Sequence, residues 1–235
     1  LRRLKLSPAT VVVDLTHCIL DAKRVIQYSR MVDYMFASLR KTFAIPDGGL
    51  IWSRRGRLAD PEPQSPSDSF TLNRLAGMIS RTLEMSESGS NETNLLLLRE
   101  AERLLDSEDL KCVGMSQISL LLLNRANIKL MRKRTRDNYN RLRSSLDNIS
   151  GIRVVPKTAG ITPYLSVVCR EPNYRDKLRE FLKKEKVYCP IHWPTSFLQS
   201  PHYLSDRILS IPCDSRYRAE DMDRLVDIIS GVDLC

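Results

Sequence analysis

Two pairs of side chains carry the chemistry that can be read from this sequence: an aspartate and a histidine in Asp14-Leu15-Thr16-His17, and a serine and a lysine in Ser38-Leu39-Arg40-Lys41. Each pair follows a short apolar run, Val11-Val12-Val13 before the first and Tyr34-Met35-Phe36-Ala37 before the second. A lysine becomes a covalent catalyst when its neutral amine attacks a carbonyl, which requires burial or neighbouring positive charge to release its proton. Arg40 supplies such charge in sequence. Taken singly, Lys41 reads as a surface residue, Asp14 as a turn or helix cap and His17 as a packed or solvated side chain. The combination, with the glycine pair Gly48-Gly49 behind it, is what those separate readings do not predict.

The aldehyde cofactor most often held on a lysine is pyridoxal phosphate, which acts as an electron sink when a carboxylate faces its pyridine nitrogen. Asp14 is the candidate for that carboxylate, and His17 for a contact to the ring or its phenolic oxygen. Ser38 is a candidate donor to the phosphate, and Lys41 the anchor and proton carrier.

Short buried strands must position these groups. Val11 to Asp14, Asp33 to Ala37 and Gly49 to Trp52 read as strands, the first two joined by a linking stretch with the weaker apolar run Val25-Ile26. Strands with functional loops at their ends favour α/β over an all-α fold. Pro, Ser and Asp mark 60–69 as a surface loop, with Ser67 or Asp68 placed to cap a helix. Helical spacing follows over Leu72 to Met85 and Glu92 to Leu105, then over one long pattern from Ser116 to about Asn148. Strands at Ile152 to Val155, Tyr164 to Cys169 and Ile208 to Ile211, with helices from about Tyr174 to Lys184 and Ala219 to Ile229, predict a small α+β tail.

With 235 residues, 42% of them hydrophobic, the chain can bury a sizeable core, and no run approaches the roughly 20 apolar residues that span a bilayer. The six cysteines are scattered without repeated spacing, as expected of reduced thiols in a cytoplasmic protein. The chain opens without Met, which suits a fragment or a processed product, and its first apolar run stops at Asp14, so no secretory signal is expected. Its charge of +9 is spread over helical patterns that also carry Asp and Glu, and the densest basic stretch, Lys129 to Arg143, reads mainly as solvated surface. Without aromatic interleaving or a binding motif, that charge argues against nucleic acid as the partner.

On these residues the chain resembles the DegT/DnrJ/EryC1/StrS sugar aminotransferases, within the pyridoxal-phosphate enzymes of fold type I. Asp14-Leu15-Thr16-His17 is similar to the family's acidic residue with a Gln or His three positions on. Lys41 with Gly48-Gly49 is similar to its Schiff-base lysine and glycine loop. Tyr188 to Pro194 and Ile208 to Asp214 resemble its C-terminal segments, and Arg132 to Leu146 its interdomain helix, so the likeness covers nearly the whole chain. Ser38-Leu39-Arg40-Lys41 and Pro46-Asp47-Gly48-Gly49 depart from the usual forms, which marks a divergent branch. The resemblance implies the later part of a large cofactor domain over 1–113, a long interdomain helix over 114–150 and a small α+β domain over 151–235. It also implies pyridoxal phosphate on Lys41, amino-group transfer from a donor such as glutamate to a keto sugar, nucleotide-linked or otherwise, or a similar keto compound, and a homodimer with sites at the interface. His192 and Trp193 would line the acceptor pocket. The family's phosphate-binding turn and ring-stacking aromatic residue lie in an N-terminal portion that has no counterpart here.

Three other readings compete. A fragment lacking that portion can be a catalytically incomplete binding or dimerisation module. Ser38-x-x-Lys41 is also the nucleophile motif of penicillin-recognising serine enzymes, but Lys157-Thr158-Ala159-Gly160 breaks their second element and no Ser-Asp-Asn is present. Cys189-x-x-His192 and His17-Cys18 each lack the second half of a zinc spacing, so no metal is expected.

Overall fold

The computed structural model describes residues 9–58, 68–86, 92–107, 113–155, 161–192 and 204–231. The chain divides into two compact units, Leu1–Ala126 and Asn127–Cys235.

In the first unit, strands β1 (Val12–Asp14) and β2 (Tyr34–Ser38) pair in parallel, with Asp14 beside Phe36. Parallel neighbours need a crossover, and here it is a helix, α1 (Ala22–Ser29), where the sequence suggested only a linking stretch. Asp21 starts it by accepting the Arg24 N–H, and Val25 and Tyr28 pack on the cluster of Leu15, Val32, Met35 and Ala37. At eight residues the helix is too short to show a periodicity of its own. Strand β3 (Gly49–Ser53) runs antiparallel to β2, placing Ser38 opposite Gly49. Alternation along β2 buries Met35 and Ala37 on one face, while Phe36 on the other is 43% exposed. Val12 and Ile51 share that open face.

Helices α2 (Asp68–Ser86) and α3 (Glu92–Ser107) pack against each other, so that a Cβ on Gly77 would meet Leu98. Asp68 is the first residue of α2, not a cap before it, and Ser67 lies outside the described residues. The single long helix expected from Ser116 onward is two. Helix α4 (Gln117–Arg125) ends at Ala126, whose backbone is extended, and α5 (Ile128–Leu146) starts on its own cap, Asn127, which accepts the Leu130 N–H. Apolar spacing runs on through the break because Ala126 and Ile128 suit either conformation, whereas an Asn that bonds the next turn stops one helix and begins another.

The second unit is built on three antiparallel strands, β4 (Ile152–Val155), β5 (Tyr164–Cys169) and β6 (Ile208–Pro212), in the order β4-β5-β6. Helices α5, α6 (Pro172–Lys184) and α7 (Ala219–Ser230) cover one face of this sheet. Leu142 and Leu146 of α5, Leu178 and Leu182 of α6, and Met222, Leu225 and Ile229 of α7 close on Val154, Leu165, Val167, Leu209 and Ile211 in one apolar core. The basic stretch of α5 turns outward: Lys133 pairs with Asp137, Arg141 pairs with Asp223 of α7, and Tyr139 and Leu142 face the core. Among the described residues no helix is long and apolar enough to cross a membrane.

Candidate functional site

Asp14 closes β1 and Ser38 closes β2, and the register sets both on the open face of the sheet with Phe36 between them. The Leu15 N–H donates to the Phe36 carbonyl (2.7 Å), and the Ser38 N–H donates to Thr16 Oγ1 (3.0 Å), so the two strand ends are laced together. Asp14 Oδ1 accepts the Thr16 N–H at 2.7 Å, the turn expected of an aspartate after a strand. That bond fixes the carboxylate while using one oxygen, and neither Oδ2 nor the Ser38 hydroxyl has a hydrogen bond among the described residues.

Lys41 ends a turn of 3-10 helix, Leu39–Lys41, that continues β2. The Phe43 and Thr42 N–H groups donate back to the Leu39 carbonyl, and Leu39, Phe43 and Ile45 are all buried. An exposed lysine is thus held between apolar residues that anchor its backbone. The Thr42 hydroxyl reaches the Thr16 carbonyl at 3.2 Å, tying the lysine turn to the Asp14 turn. Electrostatics link the same groups, because His17 feels both Asp14 and Lys41. Partial burial is the main cause holding the His17 imidazole below its ordinary pKa. The Asp14 carboxylate pulls the other way, and the Lys41 charge pushes down again.

Arg40 does not serve the lysine as the sequence suggested. Its guanidinium makes two bonds to Glu102, at 2.7 and 3.1 Å, and Arg74 reaches the same carboxylate at 3.0 Å. Burial pushes the Glu102 carboxyl up, but the Arg40 bonds, with the charges of Arg40, Arg74 and Lys41, outweigh it and hold the group below its usual range. The positive charge nearest Lys41 in sequence is therefore spent on a carboxylate from α3.

A second anchor was not legible at all. Asp47, in the turn after Lys41, is 4% exposed and accepts from the Ser116 N–H (2.9 Å), the Ser116 hydroxyl (2.5 Å) and the Thr71 hydroxyl (3.4 Å). Its own N–H donates to Ser119 Oγ at 3.3 Å. The loop that carries Lys41 is so fixed to the starts of α2 and α4 through one buried carboxylate. Gly48 follows at φ +118, beside Met115, where any side chain would be strained and would collide.

In the second unit, His192 lies against the outer face of the sheet, its Nδ1 2.9 Å from Ser210 Oγ and its ring edge-on to Tyr164 at 4.8 Å. Trp193 lies outside the described residues, as does 156–160 with the broken Lys-Thr-Ala-Gly element. Cys189 is buried with its thiol pushed up to about 12 by burial, and Cys18, Cys169, Cys189 and Cys213 are free thiols.

No protein-family model and no curated protein matches this chain. Solved structures do. A DegT DnrJ EryC1 StrS aminotransferase from Brucella abortus is similar over 98% of this chain and 59% of its own, at 14% identity and a TM-score of 0.53. SPT, solved with a pyridoxal phosphate (PLP) internal aldimine, is similar over 97% and 48%, at 12% identity and 0.52. The sugar aminotransferase CalS13 from Micromonospora echinospora is similar over 96% and 59%, at 15% identity and 0.50. The chain spans about half to three fifths of the length of these structures. At such identities the likeness is one of fold: the chain is a mixed α/β protein that resembles fold-type-I pyridoxal-phosphate transferases over part of their length.

Proposed function

We propose that the chain is part of a pyridoxal-phosphate-dependent aminotransferase of the DegT/DnrJ/EryC1/StrS kind, with Lys41 as the residue that binds the cofactor covalently. The observation that carries this reading is the lacing of the Asp14 and Lys41 turns through Thr16, which puts an amine, a carboxylate and an imidazole on one rim of a parallel strand pair. The donor set fits the group. Asp14 keeps one carboxylate oxygen for a ring nitrogen, and the Ser38 hydroxyl is available to a phosphate. When bound, the cofactor would supply an electron sink for the carbanion left after a Cα proton is removed.

The chain's own residues then have separate tasks. Lys41, held by the buried Leu39 and Phe43, would carry the proton between the substrate's Cα and the cofactor's reacting carbon at its Nζ. Asp14, oriented by the Thr16 N–H, would keep the ring nitrogen protonated. His17, held toward its neutral form by burial, would offer a hydrogen bond to the ring without adding a cation beside Lys41. His192, oriented by Ser210, and Trp193 would line the pocket for a keto sugar, nucleotide-linked or otherwise, with glutamate as a donor. In this reading 1–113 is the later part of a cofactor domain, 114–150 joins it to a small domain over 151–235, and two copies form the working dimer.

The test is borohydride reduction of the chain incubated with pyridoxal phosphate, followed by peptide mapping. The expected result is one reduced adduct on the peptide containing Lys41, lost in Lys41→Ala and weakened in Asp14→Asn. Labelling scattered over surface lysines, or unchanged in Lys41→Ala, would falsify the reading.

A further inference from the structure

At one end of the second unit's sheet, β4 begins, β5 ends and β6 begins, and between them lies a groove of about 370 Å³ lined by Gly151, Arg153, Val168, Arg170, Leu204 and Arg207 among others. Among the described residues that line it, three are arginines and none is acidic. The geometry points to a binding site for a small diphosphate-bearing ligand.

The arginines are placed by the fold. Arg153 pairs with Val168 in the β4–β5 register and makes no hydrogen bond or ion pair among the described residues. Arg207 donates from Nη1 to the Arg170 carbonyl at 2.9 Å, which holds its guanidinium at the groove. The Asp206 carboxylate stands 3.9 Å from its Nε, beyond hydrogen-bond reach, so that pairing balances the charge only loosely. Arg170 lies over the Tyr174 ring at 5.0 Å, and that ring is seated against Gly151, whose φ of +84 and missing side chain make room for it. Arg153, Arg170 and Arg207 thus line a space walled by Val168 and Leu204, and each guanidinium carries up to five N–H donors. Guanidinium forks match phosphate oxygens two at a time, and three of them along one groove offer enough donors for two linked phosphates. The net charge of +9 would draw such an anion from a distance. Nothing in this site involves Lys41, so it stands or falls apart from the aminotransferase reading.

Calorimetric titration of the whole chain with inorganic pyrophosphate, and separately with uridine diphosphate, tests it. Saturable one-to-one binding is expected, weakened about tenfold in Arg153→Ala and in Arg207→Ala, as for loss of a charge-assisted bond. It should be unchanged in Arg134→Ala, an exposed arginine elsewhere on α5. Tighter binding of uridine diphosphate assigns the site to a nucleotide, and equal binding assigns it to the diphosphate group itself. Absence of saturable binding, or equal weakening by Arg134→Ala and Arg153→Ala, overturns the proposal. Arg153 is exposed, so its variant decides the matter even if Arg207→Ala fails to fold.

Discussion

The two units are stabilised in different ways. In the second, one apolar core runs from α5 through α6 to α7 and closes over a whole sheet face, with Leu142, Leu178, Leu182 and Leu209 fully buried. In the first, the strand cluster around Leu15, Val32, Met35 and Ala37 is small, the opposite sheet face shows Val12, Phe36 and Ile51 to solvent, and the loops are held by carboxylates, of which Asp33 and Asp47 are buried. Asp47, Glu102 and Asp33 each gather two or more donors from distant positions. An apolar core tolerates no volume change but is indifferent to direction. A carboxylate that collects donors fixes direction, which is what a loop presenting Lys41 and Asp14 requires.

The largest expected effect lies in the apolar unit: Leu182→Ala, at a position with no exposure, should cost about 2–5 kcal/mol. Hydrogen exchange should show protection lost across the second unit's strands. Val12→Ala on the open face of the first should stay within about 0.5 kcal/mol, and an equal loss at both positions would erase the contrast. Next comes Asp47→Ala, which leaves the Ser116 and Thr71 donors buried and is expected to cost about 2–3 kcal/mol. Its signature should be faster exchange at the Lys41 turn, with the second unit unaffected.

The smallest effect concerns pH. The Val11 N–H bond and the Arg55 bond hold the Asp33 carboxyl at about 2, below the roughly 3.9 of an unfolded aspartate. The stability this provides is complete above about pH 4 and is lost as pH falls through 2. An acid melt should therefore be less steep between those values in Asp33→Asn, and an unchanged profile would show that the strut adds nothing.

Much of the strand and helix pattern could be read from periodicity: β1 to β6 and α6 and α7 lie within two residues of where apolar alternation and spacing put them. What escaped was either too short to repeat, as in α1, or was decided by one polar residue, as Asn127 decides the break before α5. The candidate site divides similarly. Asp14, Ser38 and Lys41 were visible because each follows an apolar run. Asp47 was not, because its partners Ser116 and Thr71 stand 69 and 24 positions away and only folding brings them together. The direction of the Arg40 side chain is hidden for the same reason, its partner Glu102 being 62 positions distant.

The parallel pairing of β1 with β2 sets different limits on change in this chain. The crossover through α1 can gain or lose surface residues, since its length does not determine how the Asp14 and Lys41 turns are tied together. The register can shift by nothing, because a slip of one residue would turn Val13 outward and drive Asp14 into the cluster of Leu15, Val32 and Met35. Changes of length should therefore accumulate in the turns that flank α1 during divergence, while Val12 to Asp14 and Tyr34 to Ser38 keep their lengths.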